Sequence, residues 1–346
     1  MNNRQWQQLI DVVNGKRVDP PPAGFIIDSP WLPGWAGIST LDYFTSDECW
    51  FEANQKAIEM FPDVMFLPGF WAEFGMCTEP SAFGAKCTFH SHELPYAAKC
   101  IYDIADIDRL TVPKPEKDGL APFVLNRLRL SRKKIEAMSH SIRFAVARGP
   151  LNIASFLMGT TEFLMALRTD TEKIQKLLSM ITEYTAQWLT LQKQEFDSID
   201  GILILDDIVG FCGERDFKEF AEPYLKTLYN CMDVSVKFFH NDADGRSCAP
   251  HLAEIGINLF NFSFLHSMQE MRQWAGDKVV LFGNIPPRDV LALGTPEQIK
   301  ESVRSAFAPL NNTTGVIASC GGGMPQDVSI VNIKAFEDAV RLISTD

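Results

Sequence analysis

At 346 residues, 46% of them hydrophobic and 22% charged, the chain can bury a large core and has a globular rather than a disordered or fibrous composition. Asp and Glu number 44 against 32 Lys and Arg, a formal charge of −12 with no basic run or aromatic-basic interleaving to track phosphates, which excludes nucleic acid and anionic membrane as partners. The first eight residues lack the apolar stretch of a leader and no segment approaches the roughly 20 apolar residues of a bilayer span. With eight scattered cysteines that read as reduced thiols, this predicts a cytoplasmic protein.

In chain order, a short apolar run at 25–28 is followed by a helix at 46–60 and a second run at 63–67. The stretch 71–140 is too long for a simple crossover and reads as an elaboration near the mouth of the fold, carrying a helix at 125–139 whose basic face (Arg127, Arg129, Arg132, Lys133, Lys134) is expected to be solvated surface. Further runs follow at 142–147, 201–205, 234–240, 258–262, 278–282 and 315–319, with helices at 160–167, 171–195, 216–232 and 295–307, several opening on a capping Ser, Thr or Asp. The runs are rich in Val, Ile and Phe and nearly continuously apolar, as strands buried on both faces are. Eight such strands alternating with helices, without a second compositional region, predict one α/β domain over 1–346, a closed (β/α)8 TIM barrel.

In such a barrel the chemistry lies at the C-terminal strand ends. The polar residues there are Asp28, Asp206, Asp207, His240, Asp242, Asn284 and Cys320. Residues two apart in an extended segment point the same way, so His240 and Asp242 can face the axis together and meet Cys320 across the mouth. An imidazole, a carboxylate and a thiolate suit a zinc ion with an open position. The alternative is a hydrogen-bonded barrel histidine, a turn aspartate and a buried thiol. Asp207 and His240 are the catalytic candidates, and Asp206, Glu73 and Asn284 the polar substrate-binding ones; Asp206 and Asp207 can equally cap helices or satisfy loop amides. Gly321, Gly322 and Gly323 have neither P-loop nor dinucleotide spacing and read as close backbone passage at the rim. Trp31, Trp35, Phe70, Trp71 and Phe74, with Glu73 and Glu79 among them, follow the first two strands and suggest an apolar substrate lid, or anchors that pin these loops to the core.

Several motifs together carry a family likeness: DVMFLP (63–68), EPSAFGA (79–85), RGPLNIASFLMG (148–159), LDD (205–207), the His240 segment, GNIP (283–286), and CGGGMP (320–325) with Asn332. In this order they resemble the uroporphyrinogen decarboxylase superfamily, which includes true decarboxylases and zinc-dependent methyltransferases that work with corrinoid proteins or coenzyme M. The resemblance covers most of the chain and implies the same (β/α)8 barrel. True decarboxylases have an arginine-bearing loop after the first strand, whereas this loop reads DSPWLPGWAGI (28–38) and Lys56 is the only basic residue across 18–85, too little to pair with a polycarboxylate. The methyltransferase branch places a His-x-Cys pair and a distant Cys around zinc, and His240, Asp242 and Cys320 fall on those positions. Asp242 replaces a cysteine, which makes the site harder and turns the expectation from a thiol acceptor to an oxygen-bearing substrate. The resemblance thus implies a zinc enzyme moving a methyl group from a small donor such as a methoxylated aromatic (O-demethylation) to a corrinoid carried by a partner protein, and it admits a homodimer. A metal-free decarboxylase and a non-catalytic small-molecule-binding barrel are the alternatives.

Overall fold

The structure, a computed structural model, describes residues 1–310 and 312–343. Among the described residues ten strands occur, in the order β1 (Gly24–Ile26), β2 (Met65–Leu67), β3 (Cys87–Thr88), β4 (Tyr96–Ala97), β5 (Phe144–Arg148), β6 (Gly201–Leu205), β7 (Val236–Asn241), β8 (Leu259–Phe262), β9 (Val280–Ile285) and β10 (Val316–Cys320). The pair β3 and β4 is a small antiparallel hairpin in the long excursion after β2. The other eight are the eight strands expected from the apolar runs, and all their pairings are parallel. Six form one sheet in the order β10-β9-β8-β7-β6-β5, and β1 pairs with β2. An Ala23 to Ala318 bridge and a hydrogen bond from the Ala318 amide to the Pro22 carbonyl, 2.8 Å, join β1 to β10.

Strand alternation sorts the side chains into two layers. Ile26, Met65, Leu67, Phe144, Leu203, Leu205, Val236, Phe238, Leu259, Val280, Phe282 and Ile317 form one buried cluster, the barrel interior. Their sequence neighbours, among them Phe25, Phe66, Ala145, Ile202, Phe239, Phe260 and Ala318, belong to a second cluster shared with the surrounding helices. Strands buried on both faces account for the unbroken apolar runs in the sequence. The lower end of the interior is covered by a helix that the apolar runs do not reveal, Asn3–Val13, capped by an Asn2 and Gln5 capping box. Its Trp6 meets Phe144 edge to face at 5.6 Å.

The wall has one seam. Among the described residues no ladder joins β2 to β5. The chain start lies beside it, where Met1 and Ser141 exchange backbone hydrogen bonds of 3.0 and 2.9 Å. Higher up, the Arg148 side chain on β5 reaches Glu73 in the segment following β2.

The helix expected at 125–139 runs Ala121–Ala137, and its basic face is not simply solvated. Arg127 is buried, with its Nε 2.7 Å from Asp47. Arg129 forks onto both Glu195 oxygens at 2.9 and 2.8 Å, and Arg132 donates to the Glu195 carbonyl at 2.9 Å, so this face ties the excursion to the long helix Thr171–Glu195. The segment 216–232 is broken into a π-turn, Phe217–Ala221, and an α-helix, Glu222–Tyr229. Pro223, which has no amide hydrogen to donate, sits at that junction. No helix among the described residues is long and apolar enough to cross a membrane.

Candidate metal centre and active site

The inward alternation of four strands ends in a polar position at the barrel mouth. Asp28 lies two residues past Ile26, Arg148 follows Phe144 and Val146, His240 follows Phe238, and Asn261 follows Leu259. The register aligns Arg148, Leu205, His240, Asn261 and Phe282 across five neighbouring strands. The apolar interior is therefore topped by a polar layer, with Arg148 and His240 two strand spacings apart, about 10 Å between backbones.

Asn261 defines the state of His240. Its amide nitrogen donates to the carbonyls of Phe282 at 2.7 Å and Cys320 at 3.2 Å, so its oxygen must be the atom facing His240 Nδ1 at 2.7 Å. A carboxamide oxygen only accepts, so Nδ1 carries a proton, and in the neutral imidazole the Nε2 lone pair is directed away. Nε2 lies 3.5 Å from Asp207 Oδ1. Asp207, just past β6, also accepts the Asp242 amide at 3.1 Å, and Asp207, His240 and Asp242 bring one donor atom each within 4.8 Å of one another. Loss of solvent around the carboxyl, and next the Asp207 carboxylate, push Asp242, an otherwise exposed residue, up to about 6. Two crowded carboxylates beside a directed imidazole lone pair are short of positive charge, and they fit a divalent cation.

Cys320 is not among the three donors gathered within 4.8 Å, although the Asp242 charge reaches its thiol. It ends β10 on the outer face, with Val316 and Ala318, and its thiol turns back onto the Gly322 carbonyl at 3.3 Å. Burial pushes that thiol up to about 12. The structure thus gathers Asp207, expected as a catalytic group, at the point where Cys320 was expected to join His240 and Asp242. Gly321 explains part of the glycine run: a Cβ there would meet the Phe264 amide nitrogen at 2.4 Å.

A second polar group occupies the other side of the mouth. Arg148 Nη2 lies 2.9 Å from both Glu73 oxygens, and the Arg148 amide donates to Glu79 at 3.0 Å. Asp28 lies near enough to act on Glu73 by charge, and all four side chains are buried. Glu79 Oε2 and Arg148 Nε have no partner among the described residues. Burial is the first cause that raises Asp28 to about 6, Glu79 to about 7 and Glu73 to about 8, against which the Arg148 charge works. These carboxyls bind protons in the folded chain that the unfolded chain has released. Stability is therefore expected to fall as pH rises from about 4.5 to about 8, by about 1.4 kcal/mol per pH unit for each proton retained. Urea unfolding across that range tests this, and Glu73→Gln should flatten the slope.

With this geometry in place, residues 5–343 match the family model for uroporphyrinogen decarboxylase (URO-D). The chain belongs to the uroporphyrinogen decarboxylase family. Curated relatives include uroporphyrinogen decarboxylases of Chloroherpeton thalassium, 28% identical over 76% of this chain and 75% of the relative, and of Actinobacillus succinogenes, 25% identical over the same shares. Among solved structures, a methyltransferase from Methanosarcina mazei superposes with a TM-score of 0.80 at 18% identity, over 96% of this chain and 97% of that one. A Shewanella B12-independent methionine synthase gives 0.55 at 10% identity, over 92% and 97%. These likenesses agree with the barrel.

The remaining candidates in this uroporphyrinogen decarboxylase family member are placed less uniformly. Trp31 is buried, donates from Nε1 to the Val328 carbonyl at 3.0 Å and stacks on Trp35 at 4.8 Å. Phe70 stacks on Phe51 at 5.5 Å, and Phe74 on Phe44 at 6.1 Å. These contacts make Trp31, Phe70 and Phe74 anchors of their loops rather than a free lid. Trp71 differs, because it joins the interior cluster with the Arg148 guanidinium 5.6 Å from its ring centre. Asn284 is a strand residue whose amide donates to the His266 carbonyl.

Asp206 does not face the mouth at all. Fully buried, it accepts the Leu151 and Asn152 amides at 2.9 Å each, capping the helix Pro150–Met158 from the adjacent strand end. Gly149 makes room for it, since a Cβ there would lie 2.2 Å from Asp206 Oδ2. Gly149→Ala should destabilise by about 1–3 kcal/mol, read as a lowered urea midpoint.

Arg148 and Asn261 are the two site residues that sequence reasoning did not single out. Each carries a signal, a polar residue in phase with inward apolar neighbours: Arg148 after Phe144 and Val146, Asn261 inside the apolar run Leu259–Phe262.

Proposed function

We propose that the protein transfers a methyl group from a small methyl donor, a methoxylated aromatic, to the cobalt of a corrinoid held by a separate protein. The observation that carries this reading is the convergence of Asp207, His240 Nε2 and Asp242 beside the polar floor of the barrel. These three residues would hold a zinc ion, which when bound would act as a Lewis acid toward the donor oxygen. Two carboxylates and one imidazole form a hard, oxygen-rich set, which suits an oxygen-linked donor better than a thiol. Asn261 accepts the proton of the far nitrogen, so in the neutral imidazole the near nitrogen carries the lone pair a metal needs. Trp71, its ring centre 5.6 Å from the Arg148 guanidinium, supplies an apolar wall for an aromatic ring.

The partner would dock over the mouth. Phe211 in the loop after β6 and Phe264 and Leu265 in the loop after β8 expose large apolar side chains there. Leu265→Asp should slow transfer to a corrinoid protein at least tenfold while leaving transfer to free reduced cobalamin unchanged, an assay that separates docking from chemistry. The functional reading is tested by mixing zinc-loaded protein anaerobically with reduced corrinoid protein and a panel of methyl ethers and following the corrinoid spectrum. A flat spectrum for every donor would sink it.

Decarboxylation is the second reading, favoured by the names of the curated relatives. Against it, Lys56 is the only basic residue over 18–85, and the Arg148 guanidinium already serves Glu73. Carbon dioxide release by metal-free protein from a carboxylated substrate would support it.

A further inference from the structure

We propose that the buried carboxyl pair Glu73 and Asp28, beside Arg148, is the proton donor to the oxygen that leaves when the methyl group is transferred. This rests on the methyl-transfer reading above and adds the half of the reaction that the metal centre does not supply. When an ether gives up its methyl group, the acceptor's electron pair forms the new bond to the methyl carbon. The carbon–oxygen bond breaks with its electrons on oxygen, and that oxygen needs a proton to leave as a neutral hydroxyl. The acid thereby becomes a carboxylate and is reprotonated from solvent, so atoms and charge balance.

Three observations place the acid in this pair. Asp28 and Glu73 are both buried and Asp28 acts on Glu73 by charge, so ionising both would set two buried like charges side by side. Three buried carboxyls, Asp28, Glu73 and Glu79, face one guanidinium, so charge balance also requires retained protons. Arg148 Nε, buried and without a partner, is a donor with no acceptor in the group, and a leaving oxygen would satisfy it beside the Glu73 proton. The register that aligns Arg148 with His240 across Leu205 puts the acid on the opposite side of one mouth from the metal triad. The other ionisable groups facing the pair are Tyr43 from the helix Thr40–Thr45, Cys77, Glu79 and, beyond Arg148, Asp207. None is a competing cation, and the carboxylates among them favour retention of the proton.

The test uses zinc-loaded full-length protein, free reduced cobalamin, and two probes, anisole and 4-nitroanisole, whose leaving phenols differ greatly in acidity. Glu73→Gln should lower kcat on anisole between about 100- and 10,000-fold with little change in KM, and should lose far less on 4-nitroanisole, whose phenolate leaves unaided. Glu73→Asp should restore part of the anisole rate, and Asp28→Asn should follow Glu73→Gln. Independently of turnover, infrared difference spectra between pH 6 and pH 9 should show the carbonyl band of a protonated carboxyl that Glu73→Gln removes. Equal losses on both probes, or no loss, overturn the donor role while leaving methyl transfer standing. Absence of the infrared band overturns the retained proton. Failure of the wild-type protein on both probes and on the wider ether panel overturns the functional reading, and the donor role with it.

Discussion

His240→Ala should yield a folded protein that no longer retains zinc through desalting, while the wild type keeps about one equivalent. The imidazole is the only nitrogen among the three clustered donors, and removing it leaves Asp207 and Asp242 as two adjacent carboxylates. Without their neighbour their repulsion is relieved by proton uptake rather than by a cation, so Asp242, already raised to about 6, should rise further. Asn261→Leu is the graded counterpart. It keeps the imidazole but frees the ring to rotate and exchange tautomers, and it should cost about 10- to 100-fold in zinc affinity. Cys320→Ser should cost much less, because the thiol is committed to the Gly322 carbonyl. Zinc content after dialysis against a chelator orders the three. A Cys320→Ser protein emptied as thoroughly as His240→Ala would return Cys320 to the ligand set.

Arg148→Met should be the most damaging substitution for stability. Methionine fills similar space, but Glu73, Asp28 and Glu79 lose their common cation, and breaking a buried ion pair from one side costs about 3–5 kcal/mol. The sign with pH follows from the same groups. Without the guanidinium the carboxyls rise further, so the loss should be greatest above pH 8 and smallest near pH 5, where protonation neutralises them. Arg148→Met combined with Glu73→Gln should cost less than the sum of the single substitutions, since the stranded charge goes with its partner. Urea unfolding at the two pH values measures both; a loss independent of pH would show that packing rather than charge decides it.

The barrel was legible because its strands are buried on both faces, and Gly201–Leu205 is realised to the residue. The strand expected at 278–282 spans Val280–Ile285, because pairing with β10 through Ile285 carries Gly283 and Asn284 into the sheet. The site was legible by residue type but less so by direction. His240, Asp207 and Asp242 converge, whereas Cys320 packs with the outer cluster and stays outside their 4.8 Å grouping while remaining within reach of the Asp242 charge. Asp206 and Asp207 are adjacent in sequence and opposite in role, a helix cap and a donor at the mouth, which composition alone does not separate. The aromatic loops could be located but not their partners, since stacking on Phe51 or Phe44 depends on long-range packing.

The seam between β2 and β5 gives the wall an uneven compliance. Around most of its circumference backbone ladders hold the strands, and at the His240 end Asn261 stitches β8 to the carbonyls of β9 and β10. On the opposite side the join above the chain start is a side-chain ion pair, Arg148 with Glu73. When the pair gains or loses a proton, the tension across that join changes while the laddered side does not respond. The barrel should breathe at this one line, so amide exchange near Glu73 and Arg148 should track pH, while the strands carrying His240 and Asn261 exchange at a rate set only by global unfolding.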